Sequence, residues 1–78
     1  MYPSVKEVEP EQDYTLILKF SNGDKRSFDM KPYLENGIFR ELKDISKFNT
    51  VHVSFDSIEW ENEADIDPEV LFENSIKL

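Results

Sequence analysis

The stretch from Tyr14 to Met30, Y-T-L-I-L-K-F-S-N-G-D-K-R-S-F-D-M, constrains this chain more than any other. Two runs with apolar residues at alternate positions flank a polar Ser-Asn-Gly, which is the pattern of a β-hairpin. Side chains on a strand alternate between faces, so Tyr14, Leu16, Leu18 and Phe20 share one face, and Arg26, Phe28 and Met30 share one on the second run. Loop length decides whether these sets meet. A two-residue Asn-Gly loop places Ile17 opposite Phe28 and scatters the apolar residues over both faces, which is costly wherever one face is buried. A three-residue Ser21-Asn22-Gly23 loop instead pairs Tyr14 with Met30, Leu16 with Phe28, Leu18 with Arg26 and Phe20 with Asp24. It requires a left-handed backbone at its third position, where Gly23 has no Cβ to clash. The expectation is therefore a type I turn closed by a G1 bulge at Gly23.

The rest of the chain reads as material paired beside this hairpin or packed on it. Pro3 to Glu9 is a first strand, but Val5 and Val8 are spaced by three, which demands a bulge or an early end. Glu9 to Asp13 reads as a loop. Pro32 and Gly37 bracket a short helical turn over Pro32 to Glu35. Ile38, Phe39 and Leu42 make a second, core-facing turn, and Asp44 caps a last one through Phe48. Thr50 to Glu61 is a second hairpin, with Val51, Val53, Phe55, Ile58 and Trp60 on one face. An Asp56-Ser57 loop would set Phe55 against Ile58 and Val53 against Trp60, and Phe55, Trp60 and Phe72 are assigned to the core. A final helix starts at Asp67, with Pro68 in its first turn, Glu69 favourable to the helix dipole and Ile66 stapled to Leu71. It runs to about Ser75, and Ile76 and Leu78 finish over the core. The predicted fold class is α+β, β-β-β-α-β-β-α, a largely antiparallel sheet of about five strands with short helices on one face. Its 78 residues make a single domain, 1–78.

Composition excludes several functions. There is no Cys, hence no disulfide, thiol nucleophile or thiolate metal site. The first residues lack a signal-peptide pattern, and no apolar run approaches the ~20 residues that span a bilayer, so a cytoplasmic protein away from membranes is expected. A net charge of −8 repels phosphate backbones and argues against direct nucleic-acid binding. The same charge suits a basic protein partner, steered electrostatically and sensitive to salt. His52, the only histidine, sits between two strand valines and points away from them, as an exposed strand residue rather than a catalytic base. Glu59, Glu61, Glu63, Asp65, Asp67 and Glu69 alternate in the manner of oxygen ligands in a calcium loop. The central glycine of that loop is missing, and Asp67 is already explained as a cap, so a solvated acidic rim is the stronger reading. No nucleophile–base pair, phosphate loop or deaminase signature is present, and neither enzymatic activity nor a cofactor is expected.

One family shares these residues. Val8, Pro10 and Tyr14-Thr15-Leu16, then F-S-N-G-D, F-D-M, G-I-F-R-E-L-K-D, Phe48, V-H-V, I-E-W and A-D-I-D-P-E-V-L-F resemble domain-of-unknown-function family 2442 over nearly the whole chain. That family often carries Trp-Pro-Asn-Gly where this chain has Trp60-Glu61-Asn62-Glu63. The resemblance implies an α+β fold without an established activity. It also implies a genetic neighbour, a small protein of family 4160, in a two-protein arrangement of toxin–antitoxin type. Relatives with a C-terminal helix-turn-helix extend further than Leu78, so no DNA-reading part is expected here.

Two functions follow as expectations. The first is a non-enzymatic interaction module for a small basic protein, with the acidic face Glu59, Glu61, Glu63, Asp65 and Glu69 as its interface. The second is a small-ligand or divalent-metal domain using the Glu59 to Glu69 stretch. A homodimer is compatible with either.

Overall fold

The computed structural model describes residues 2–78 and places the chain in two antiparallel sheets. Strands β1 (Val5–Glu11), β2 (Thr15–Phe20) and β3 (Lys25–Asp29) form the first sheet, in the order β1-β2-β3. A two-residue strand near the C-terminus, Ile76–Lys77, adds to the outer edge of β3. Tight turns follow at Lys31–Tyr33 and Gly37–Lys43, and then the one-turn helix α1 (Ile45–Phe48). The second sheet contains β4 (His52–Ser54), β5 (Ser57–Glu59) and β6 (Asp65–Ile66). Helix α2 (Pro68–Asn74) leads into the Ile76–Lys77 strand, which is β7. The α+β class and its element order are those expected, except that the expected strands divide between two sheets, and β6 and β7 are additions too short to carry a periodic signal.

The first hairpin has the expected register. Leu16 faces Phe28 and Leu18 faces Arg26, while the Phe20 N–H donates to the Asp24 carbonyl at 2.9 Å and the Gly23 N–H returns to the Phe20 carbonyl at 3.0 Å. Gly23 adopts φ +91°. In β1 the register shifts between Val5 and Glu7, and this bulge lets both Val5 and Val8 turn toward the core despite their spacing of three. β1 continues through Pro10 to Glu11, where a loop was expected; a proline is tolerated because β1 lies at the sheet's edge.

One apolar cluster unites the elements. Leu16, Leu18, Phe20, Phe28 and Met30 from the first sheet meet Leu42, Phe48, Ile58, Trp60 and Leu71. Among the described residues no polar or charged side chain is buried whole. Trp60 joins the halves. Its indole N–H donates to the Phe48 carbonyl at 2.9 Å, and its ring lies beside Phe48 and Phe39, with centroids 6.2 and 6.3 Å away. Phe48 in turn meets the edge of Tyr14 at 5.3 Å. Asp44 caps α1 by accepting the Ser46 N–H, and Asp67 caps α2 by accepting the Glu69 N–H, both as expected.

Three expectations fail. In the second hairpin Val53 faces Ile58 and His52 faces Glu59, so the loop is Phe55-Asp56 rather than Asp56-Ser57. Phe55 is then not core but 100% exposed. Both registers leave Val53 and Ile58 on the same face, so alternation could not choose between them. Distant bonds favour the one observed: the Val5 N–H donates to the Asp56 carbonyl at 3.0 Å, and the Ser57 hydroxyl donates to the Ile66 carbonyl. Ile76 and Leu78 do not cover the core either, being 72% and 66% exposed, because β7 pairs at the sheet edge. Ile38 faces outward, 44% exposed, while its neighbours Phe39 and Leu42 turn in.

The turn from Trp60 to Ala64 repeats the first hairpin's turn bond for bond. The Trp60 N–H reaches the Ala64 carbonyl at 2.9 Å and the Glu63 N–H the Trp60 carbonyl at 2.9 Å. Asn62 accepts the Ala64 N–H as Asn22 accepts the Asp24 N–H. Glu63 thus occupies the position of Gly23, with φ +71°. An L-residue pays about 1–2 kcal/mol there. Glu63→Gly should therefore raise stability by about 0.5–1 kcal/mol after glycine's own entropy cost, seen as a higher urea midpoint at unchanged slope. Gly23→Ala should do the reverse through backbone strain alone, since a Cβ there meets no atom within 4 Å. Trp60→Phe, which strands the Phe48 carbonyl and shrinks the central ring, should cost about 2–3 kcal/mol in the same assay.

Candidate interaction surface

Three elements converge at one end of the molecule: the β4–β5 turn, the outer face of β5 and β6, and the start of α2. Register sets what faces out. Ile58 pairs with Ile66 on the buried side, so the adjacent row, His52, Glu59 and Asp65, lies on the opposite face. Glu59 and Asp65 are directly opposed like charges, an arrangement that is destabilising unless something cationic relieves it. The His52 ring lies beside this pair, with Nε2 3.8 Å from the Glu59 carboxylate, beyond hydrogen-bond reach, and Nδ1 3.1 Å from the Thr50 carbonyl oxygen.

Asp56, Glu59, Asp65 and Asp67 line an open groove of about 470 Å³, with Phe55 and Pro68 also in its lining. No Lys or Arg lines it. Beyond Pro68 a second concavity, shared with Tyr2, continues past Glu69, again without a cation. Some carboxylates outside the groove differ: Asp24 is bonded by Arg26 at 3.1 Å and approached by Lys77 at 3.6 Å, Asp29 by Lys31 at 3.3 Å, and Glu35 by Lys43. Among the described residues, Asp56, Asp65, Asp67 and Glu69 have no such ion pair. Lys19, Arg26, Lys31, Lys43 and Lys77 pair with carboxylates outside the groove.

Phe55 holds φ +56° at the first loop position, a conformation that a bulky residue adopts only under strain. Of the five carboxylates expected to form an interface, Glu59 and Asp65 line the groove and Glu69 lies next to it. Glu61 lines a separate concavity with Lys47, its N–H bonded to the Thr50 hydroxyl, and Glu63 occupies the strained turn beside it. The acidic stretch is therefore not one continuous face. Phe55 was missed as a surface residue because alternation placed it inside, whereas Asp56 was expected in the turn and lies there. The signal present in the sequence was Phe-Asp-Ser at a hairpin tip, short of the glycine a tight loop prefers.

Among the described residues, no three Asp, Glu or His groups come together in a way that could hold an ion. No helix of the described residues is long and apolar enough to cross a membrane.

The second concavity does contain one shifted group. The Tyr2 hydroxyl donates to Glu73 at 3.0 Å and to Glu69 at 3.2 Å, bridging two carboxylates one helical turn apart. Hydrogen bonding to Glu73, then desolvation and the Glu69 carboxylate, push its phenol up to about 12.

The chain belongs to the family described as "Protein of unknown function (DUF2442)", whose profile matches residues 5–77. No curated protein and no solved structure gives a significant match.

Because the folded phenol ionises later than an unfolded one, the Tyr2 bridge stabilises fully below pH 10, the ordinary value, and is lost as pH rises through about 12. In an ultraviolet titration one of the three tyrosines should ionise near pH 12, and Tyr2→Phe should remove that late step. At the acid end Asp44, held low by the Ser46 hydroxyl and N–H, keeps its capping contribution until pH falls below the usual carboxylate range.

Proposed function

We propose that this protein is a non-enzymatic interaction module that binds a small basic protein, as the acidic member of a two-protein pair. The observation that carries this reading is the grouping of charge: Asp56, Glu59, Asp65 and Asp67 line one groove, with Glu69 beside it, and no lysine or arginine is among the lining residues. Isolated surface carboxylates cost little in water, but two opposed on neighbouring strands repel, and a partner's cation turns that repulsion into attraction. The absence of buried polar side chains among the described residues supports a binding role over catalysis, because desolvation is a principal means of tuning an acid or base. The family's resemblance-based association with a small encoded neighbour supplies the natural candidate for the basic partner. A cytoplasmic site of action belongs to the same proposal.

Co-expression tests it. The neighbouring gene's product should co-purify stoichiometrically at about 50 mM salt and separate at about 500 mM, where screening shortens to a few ångströms. Failure to associate at the lower salt would count against the pairing.

A further inference from the structure

We infer that the partner is held at the β4–β5 hairpin tip, where a basic segment lays an arginine or lysine side chain along the groove, against the exposed face of Phe55. This rests on the interaction-module reading and gives it a location. Three observations converge. Phe55 exposes its entire ring to water while every other Phe of the chain is buried or half-buried. The ring is not free of cost where it stands, since φ +56° is disfavoured for a bulky side chain. Strain at an exposed apolar residue is retained most readily where the residue does something outside the fold.

The groove beside that ring determines what can cover it. Four carboxylates line it with no lysine or arginine, so a second copy of this chain, a nucleic acid or an anionic lipid surface would bring like charge to like charge. A cationic side chain satisfies both halves of the site. Its charged head stacks on the Phe55 ring in a cation–π contact, and the carboxylates of Asp56, Glu59, Asp65 and Asp67 in the same groove balance its charge. The chain already contains this pairing within itself: the Arg26 guanidinium lies 4.1 Å from the Phe72 ring centroid, with Asp24 as its carboxylate partner. Phe55 and Asp56 offer the same two chemistries with the cation left out. Glu7, Glu9 and Glu11, on the outer face of β1, are the competing acidic surface; there Lys19 approaches Glu7 at 3.9 Å and no aromatic residue accompanies the carboxylates on that strand.

The test uses the full chain, labelled with nitrogen-15, and a synthetic peptide alternating arginine with leucine as the probe, with a glutamate-for-arginine peptide as control. Amide shifts should concentrate at residues 54–59 and 65–69 for the arginine peptide alone. Phe55→Ala should weaken binding about tenfold or more, with Ile76→Ala, exposed on β7, without effect. Phe55→Gly keeps the test independent of folding: it relieves the left-handed strain, so it should match or exceed the parent's urea midpoint while binding as poorly as Phe55→Ala. Shifts centred on Glu7, Glu9 and Glu11, or full affinity in both Phe55 variants, would overturn this location and leave the basic-partner reading standing. No binding of the arginine peptide would overturn the location too, and only failure of the co-purification above would remove the broader reading.

Discussion

The fold depends on the indole of Trp60. It is the largest fully buried side chain, and its one polar atom is satisfied by a backbone carbonyl on a different element, Phe48 of α1. A buried N–H without an acceptor would cost about as much as several buried methylene groups contribute. Position and orientation of the ring are therefore fixed together. From it an aromatic chain runs through Phe48 to Tyr14, tying the second sheet to α1 and then to the turn between β1 and β2. The 3-stranded sheet is too small to bury a core of its own. It is stable because Trp60, Ile58 and Ile66 contribute to a core that belongs mostly to the first sheet.

What could be read from sequence follows the range of the forces involved. The first hairpin was legible because Asn22-Gly23 and the alternation of Leu16, Leu18, Phe20 and Phe28 agree on a single register. The caps at Asp44 and Asp67 were legible because the acceptor and the amide it satisfies are two residues apart. The second hairpin was not. Its two possible registers bury the same face, and the choice was made by bonds to Val5 and Ile66, which local pattern cannot reveal. β7 escaped notice for a related reason: two residues have no period, and Ile76 looked like core until β3 offered it an edge.

The same limit applies to the surface. The run from Glu59 to Glu69 is conspicuous as a string of letters, yet a strand, a turn and a helix cap distribute its carboxylates to different sides. Chain folding groups Glu59 and Asp65 with Asp56, a residue outside the run, and separates them from Glu61. Charge at a surface is a property of the folded arrangement, and sequence adjacency is a poor guide to it wherever the chain reverses direction every few residues.

The two-residue β7 has a consequence for motion. It is held to β3 by a short ladder, the Leu78 N–H on the Lys25 carbonyl at 2.8 Å, and the Lys77–Asp24 pair at 3.6 Å, all at the molecular rim. Releasing it exposes little apolar surface, because Ile76 and Leu78 are already in water. The sheet therefore has a clasp that can open without the core loosening. The outward amides of β3 would exchange with solvent through this small local opening, while those between β2 and β3 wait for global unfolding. One molecule thus contains two very different lifetimes for hydrogen bonds only a strand apart.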